Sequence, residues 1–422
     1  MDPLKFHKGG KIGVISKVPL KTREHLSLAY TPGVAEPCKA IAKDPEKVYE
    51  YTSKGNSVAV VSDGSRILGL GNIGPLAGLP VMEGKALLFK RFGGIDAFPI
   101  MIGEQDPDKF IEVVKAISPT FGGINLEDIA SPKCFYILDK LREELDIPVF
   151  HDDQQGTAAV VLAGLINALE VVGKRLDEIS VALFGAGAAG FATLRILVKA
   201  GVKPGNVRVV ELVNGKPMVL TKDLDLEKLF PYRGWLLEKT NDEGIEGGPE
   251  EALKGADVLI SFTRPGPGVI KPEWIREMSD DPIVFPLANP VPEILPDEAK
   301  KAGARIVATG RSDYPNQINN LLGFPGIFRG ALDVRARSIT DDMIIEAAKA
   351  IASVVEEPSE ENIIPSPFNP IVYAKEARAV AEEAMKEGVA RVKVKGEEIE
   401  ERTLKLISLW DDILGEVADK LS

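Results

Sequence analysis

The stretch Ile179-Ser-Val-Ala-Leu-Phe-Gly185-Ala-Gly187-Ala-Ala-Gly190 decides how the rest of the chain is read. Its apolar half, Ile179 to Phe184, reads as a buried strand, and the glycine-rich half turns that strand into a helix. The first glycine of such a turn permits the tight bend. The second lets backbone N–H groups approach a diphosphate, and the third lets the helix pack close to its strand. The helix N-terminus then presents partial positive charge to the anion. Gly185, Gly187, Ala188, Ala189 and Gly190 are therefore candidate dinucleotide-binding residues.

Toward the C-terminus, Val207 to Glu211 supplies the second strand of a βαβ unit, and Glu211 ends it where a carboxylate can accept from ribose hydroxyls. An acid there disfavours a 2′-phosphate, whereas Lys216 nearby offsets it, so the sequence leaves NAD and NADP both open. Further strands are read at Val258 to Ser261, Ile283 to Phe285 and Ile306 to Ala308, and a long apolar helix at Thr157 to Val172. The alternation predicts an α/β chain with a doubly wound parallel-sheet NAD(P)-binding domain over residues 156–330.

Toward the N-terminus, residues 1–155 read as a second α/β domain carrying substrate and catalytic groups. Short strands are expected at Ser57 to Ser62, Ala86 to Phe89 and Ala97 to Ile102, with a helix from Asp106 to Ile117. Residues 331–422 read as helices, at Asp341 to Val355, from Asn369-Pro370 to Gly388, and at Thr403 to Leu421. They are expected to pack back on the N-terminal domain or on a neighbouring subunit.

Composition narrows the function classes. Hydrophobic residues are 45% and charged residues 27% of the 422, which suits a packed globule. The formal net charge of −12 disfavours nucleic acid as a partner. An uninterrupted apolar run of about 18 residues is absent, so no membrane span or signal peptide is expected. Two cysteines, Cys38 and Cys134, do not form a disulfide framework, and a cytoplasmic location is the default.

Two acidic pairs flank the junction between the first two stretches, Glu127-Asp128 and Asp152-Asp153. Each follows an apolar run and is expected at a strand end, where ligands bind in open α/β sheets. Carboxylates converging from two loops repel one another unless a cation lies between them, and all-oxygen ligation suits Mg2+ or Mn2+. Histidines stand only at 7, 25 and 151, too scattered for a zinc site.

Together these motifs resemble malic enzymes of the short bacterial and archaeal form. The resemblance is carried, in order, by Leu28-Ala-Tyr30-Thr-Pro-Gly33, Val61-Ser-Asp63-Gly-Ser-Arg66 with the following Ile-Leu-Gly-Leu-Gly71-Asn-Ile-Gly74, and Pro80-Val-Met-Glu-Gly-Lys85. It continues through Asn125-Leu-Glu127-Asp128, His151-Asp-Asp-Gln-Gln-Gly-Thr157, Ala288-Asn289-Pro290, and Asn319-Asn320 before Phe324-Pro-Gly326.

The resemblance implies oxidation and decarboxylation of malate to pyruvate, with NAD or NADP and Mg2+ or Mn2+, by a homodimer. It implies Tyr30 as general acid and Lys85 as general base, with Asp152 holding Lys85. It implies Arg66 on a malate carboxylate, Asn289 and Asn320 at the substrate, Asn289 also at the cofactor, and Glu127, Asp128 and Asp153 on the metal. As base, Lys85 needs a lowered pKa.

Each residue also has a plainer reading. Tyr30 is compatible with a core tyrosine, Lys85 with a solvated charge, Arg66 with a brace to Asp63, and the asparagines with turns. Two other functions fit parts of the pattern. One is a hydroxy-acid or amino-acid dehydrogenase without decarboxylation, and the other is a non-catalytic NAD-binding sensor.

Overall fold

The computed structural model describes residues 2–421. Its first sheet holds four parallel strands in the order β2-β1-β3-β4: β1 Ser57–Ser62, β2 Asp96–Met101, β3 Gly123–Leu126 and β4 Val149–His151. β1, β3 and β4 are buried along their whole length, as expected of parallel strands covered on both faces.

The second sheet has the order β10-β9-β8-β5-β6-β7: β5 Val181–Phe184, β6 Val207–Val213, β7 Lys216–Val219, β8 Val258–Ser261, β9 Ile283–Pro286 and β10 Ile306–Val307. All pairs are parallel except β6 with β7. The strand order reverses between β5 and β8, beside the glycine-rich turn, and crevices at such reversals bind dinucleotides.

Two sequence expectations change. Ala86 to Phe89 is not a strand but lies inside a helix, Pro75–Gly93. Pro75 starts that helix, Gly94 ends it in the left-handed region, and buried Met82, Lys85, Phe89 and Phe92 recur at helical spacing. A four-residue apolar run cannot by itself tell a buried strand from a buried helix turn.

Glu211 does not end its strand. Asn214-Gly215, both at positive φ, fold β6 and β7 into a hairpin, and Glu211 pairs with Met218. Asp152–Val172 is long and apolar enough to cross a membrane by length and composition, but 72% of its most apolar window is buried inside the protein. Interior helices pass that test because they too are apolar on every side.

Helices predicted for the C-terminal stretch form at Asp341–Ala352, Pro370–Lys386 and Gly396–Leu421. Thr340 and Asn369 cap the first two, accepting from Met343 N at 3.2 Å and Ile371 N at 3.1 Å. The first packs on the Thr157–Val172 helix, and the last on Pro75–Gly93. There Arg91 pairs with Asp411 at 2.8 Å and Lys90 lies 3.9 Å over the Trp410 ring. One apolar core runs through the first sheet, these helices and one face of the second sheet.

Residues 3–43 behave differently. Their helices, Pro3–Phe6, Arg23–Ala29 and Ala35–Lys43, bury no side chain. Leu4, Phe6, Val14, Val18, Leu20, Leu26, Leu28 and Tyr30 are each more than half exposed. This arm is held to the body by Lys11, whose N donates to Glu83 Oε2 at 2.9 Å, and by the Lys17–Asp96 pair at 2.5 Å.

Candidate active site

Register brings the acids together. Leu126 pairs with Val61 on one side and with His151 on the other, so the residues leaving β1, β3 and β4 emerge side by side. Glu127-Asp128 and Asp152-Asp153 are the first residues beyond two of those strands. One carboxylate oxygen from each of Glu127, Asp128 and Asp153 lies within 4.8 Å of the others.

Asp152 and Asp153 occupy a π-helical turn, Asp152–Gly156, that opens the Thr157–Val172 helix, where the macrodipole favours negative charge. Glycine at 156 leaves room for the Asp152 carboxylate, since a Cβ there would lie 1.8 Å from Asp152 Oδ1. Asp153 Oδ2 accepts from Asp128 N at 2.9 Å, and Asn125 Nδ2 donates to Glu127 Oε2 at 3.0 Å. Asp128 sits at φ +52 and Leu68, which donates to it from the β1 loop, at φ +48. Non-glycine residues hold that conformation at a cost, and such strain gathers at functional sites.

Lys85 reaches this cluster from the buried side of its helix and is 8% exposed. Its Nζ stands 2.5 Å from Asp152 Oδ2, 3.1 Å from Glu127 Oε1 and 4.4 Å over the Phe324 ring. Burial pulls its pKa down, but the charges of Asp152 and Glu127 outweigh that and hold it above the ordinary lysine value. A base at this position needs a lowered pKa, so the expectation drawn from the sequence is reversed here by the two neighbouring carboxylates. Among the acids, burial and then Asp153 push Asp128 up to about 7, and burial pushes Asp152 to about 6. Asp128 Oδ2 is buried with no hydrogen-bond partner among the described residues. Three converging carboxylates, with an unpartnered buried oxygen on Asp128, fit a divalent cation held by Glu127, Asp128 and Asp153.

The remaining expected residues surround the cluster unevenly. Arg66 is exposed on the loop after β1, its N donating to Asp128 O at 3.1 Å, and its charge lowers the Asp128 pKa. It does not brace Asp63, which pairs with Lys133 at 2.5 Å. Asn320 lies against Gly156, and Asn289 is exposed at the end of β9. The carbonyl of Asn289 faces Gly69, so the loop after β1 meets the second sheet at this point.

Tyr30, unlike Lys85, is not buried. It is 69% exposed at the end of the Arg23–Ala29 helix, bonded through its backbone to Leu26 and Val34.

At the glycine-rich turn, the chain of Gly190 passes so close to Gly185 that a Cβ would lie 1.9 Å from Gly185 O. Ala188 is buried, and the Ala188–Ala200 helix points its N-terminus into the turn. Glu211 Oε1 accepts from Ala186 N.

Sequence reasoning missed two side chains. Fully buried Glu293 accepts from Ser261 Oγ at 2.6 Å, Thr263 N at 2.9 Å and Ala288 N at 3.0 Å, tying together the ends of β8 and β9. Arg233 donates to Ala186 O from outside the βαβ unit. No local pattern marks either one.

The family model described as "Malic enzyme, N-terminal domain" matches residues 9–142. The one described as "Malic enzyme, NAD binding domain" matches residues 154–219 and 250–387, passing over 220–249. The NAD-dependent malic enzyme of Geobacillus stearothermophilus is 54% identical, over 92% of this chain and 79% of its own length. The NADP-dependent malic enzyme of Escherichia coli is 47% identical, over 92% of this chain and 52% of its own length. A crystal structure of malic enzyme from Pyrococcus horikoshii superposes with a TM-score of 0.98, at 82% identity, covering 99% of this chain and 98% of that one.

Proposed function

Since the chain belongs to the malic enzyme family, we propose a role for each of its own residues in that chemistry. The enzyme oxidatively decarboxylates (S)-malate to pyruvate and CO2 with reduction of a nicotinamide dinucleotide. The observation that carries the residue assignment is the Lys85 amine, buried at 2.5 Å from Asp152 beside the Glu127, Asp128 and Asp153 oxygens.

Residues 1–155 carry the catalytic groups, residues 156–330 hold NAD or NADP, and residues 331–422 buttress both. Lys85 takes the proton of the malate C2 hydroxyl. Asp152 fixes the amine's direction, and the Phe324 ring keeps water from its far side. Arg66 holds a malate carboxylate by charge-assisted hydrogen bonds, and Asn289 and Asn320 orient the rest of the substrate. Gly185, Gly187, Ala188, Ala189 and Gly190 receive the diphosphate, and Glu211 the ribose. The nicotinamide, when bound, accepts the hydride from C2.

Glu127, Asp128 and Asp153 hold Mg2+ or Mn2+. Such a cation polarises the hydroxyl and the new carbonyl, stabilises negative charge as CO2 leaves, and offsets the acids that keep Lys85 charged. Tyr30 returns a proton to C3 of the enol left by decarboxylation. Its exposure, on an arm whose apolar side chains have no cover, supports delivery to the site of a second copy in a homodimer. A cytoplasmic location, without nucleic acid or membrane as partner, belongs to the same reading.

The test is a spectrophotometric assay with malate and Mn2+, run with NAD and with NADP, and with the products identified. Reduced nucleotide, pyruvate and CO2 in equal amounts are expected. Reduced nucleotide with oxaloacetate and no CO2 would instead favour a simple dehydrogenase.

A further inference from the structure

Residues 220–249, which the NAD-binding family model passes over, reach the glycine-rich turn through Arg233. The segment is seated by aromatic contacts. Trp235 meets Phe191 of the Ala188–Ala200 helix edge-on at 6.2 Å, and Tyr232 meets Tyr136 at 6.0 Å. Tyr232 is held at φ +69, a strained conformation for a tyrosine, and Arg233 follows it directly.

The Arg233 side chain is 9% exposed. Its Nη1 donates to Ala186 O inside the turn, and its guanidinium lies 5.4 Å from the Phe135 ring and 5.2 Å from the Phe230 ring. Its Nε is buried with no hydrogen-bond partner among the described residues. The titratable groups that face it are Glu211, across the same alanine, and Cys134, whose thiol is un-ionised at neutral pH. The Glu211 carboxylate is already turned to the backbone, accepting from Ala186 N and Leu212 N. Beside a helix N-terminus shaped for an anion, this buried guanidinium has one backbone carbonyl as acceptor, one unpaired donor, and no ion pair with a carboxylate among the described residues.

We infer that Arg233 binds a phosphate of the dinucleotide, supplementing the backbone N–H groups of the glycine-rich turn with a fixed positive charge. The bridging diphosphate is common to NAD and NADP, and the 2′-phosphate is found in NADP alone; both are the same ligand chemistry. The inference rests on the cofactor reading of this turn and extends it to a residue outside the family's matched segments.

The test is equilibrium binding without malate or metal, followed by fluorescence, for the wild type, Arg233→Met and Arg233→Lys. Methionine keeps the packing on Phe135 and Phe230 but has no charge. The probes are NADH, NADPH, ADP-ribose and adenosine. For Arg233→Met, affinity for NADH, NADPH and ADP-ribose should fall about 10- to 100-fold, with adenosine unchanged and lysine restoring part of the loss. A loss confined to NADPH would assign the 2′-phosphate. Unchanged affinities, or an equal loss for adenosine, would overturn the inference, and Arg233→Lys carries the same comparison if Arg233→Met does not fold. A wild type that binds neither NADH nor NADPH would overturn the cofactor reading itself, which separates the two failures.

Discussion

Lys85 Nζ and Asp152 Oδ2 stand 2.5 Å apart, joined across 67 residues of sequence and buried from solvent. The amine enters from a helix packed on the first sheet, and the carboxylate from the π-helical turn after β4. Neither is free to leave without exposing an uncompensated charge to the interior.

Replacing the amine tests its chemistry. Lys85→Ala is expected to lower kcat for malate oxidation by about 10²- to 10⁴-fold while NADH affinity changes little. Steady-state kinetics with a parallel binding titration measures both. Wild-type turnover in the variant would remove Lys85 from the role of base.

Gly156→Ala reaches the same pair without touching either member. Its methyl would fall 1.8 Å from Asp152 Oδ1, so the carboxylate is expected to shift from its place beside Lys85. A loss of kcat approaching that of Lys85→Ala is expected, with the fold intact by circular dichroism. Normal kcat would show that the contact is dispensable.

Asp153→Asn removes one of the three clustered carboxylates. Activation by Mn2+ should then require a concentration at least about tenfold higher, by analogy with the loss of one charged ligand. An activation curve superimposable on the wild type's would exclude Asp153 from the cation site.

Tyr30 and Lys85 can be placed in the same or in different subunits by complementation. Tyr30→Phe and Lys85→Ala, each inactive alone, are unfolded together and refolded as a mixture. If one subunit's tyrosine serves the other's lysine, mixed dimers regain one intact site, and activity returns to about a quarter of wild type. No recovery would put both groups in one chain.

Glu376 offers a prediction unrelated to catalysis. It is fully buried in the Pro370–Lys386 helix, neither carboxylate oxygen has a hydrogen-bond partner among the described residues, and burial holds its pKa well above the usual carboxylate range. A raised native pKa contributes stability below the unfolded value, near 4, and that contribution is lost as pH rises toward the native pKa. The wild type should therefore lose up to about 1.4 kcal/mol per pH unit in that window from this group. Glu376→Gln should lose correspondingly less. Chemical denaturation from pH 5 to pH 9 gives the two slopes, and parallel slopes would sink the assignment.

Several of these features were readable before any coordinates. The glycine-rich turn and the two acid pairs are local signals, fixed by what a sharp turn or a strand end permits, and the structure places them where the sequence suggested. The Pro75–Gly93 helix was not readable as a whole, because Ala86 to Phe89 carries no mark of the turns before it. The β6–β7 hairpin does carry a local signal, Asn214-Gly215, a pair suited to a two-residue hairpin turn. Arg233 and Glu293 had none, since their partners come from remote strands and turns that only the folded topology assembles. Tyr30 was recognised by its neighbours in the sequence, which say nothing about which copy of the site it faces.

The two thiols differ in a way that gives the enzyme a natural reporter. Cys134 is fully buried, and burial pushes its thiol up to about 12, so at neutral pH it offers neither thiolate nor access. Cys38 is exposed in the Ala35–Lys43 helix, eight residues along the chain from Tyr30. A maleimide dye should therefore attach at one position without engineering, and its emission would follow the arm that carries Tyr30 as subunits associate and separate.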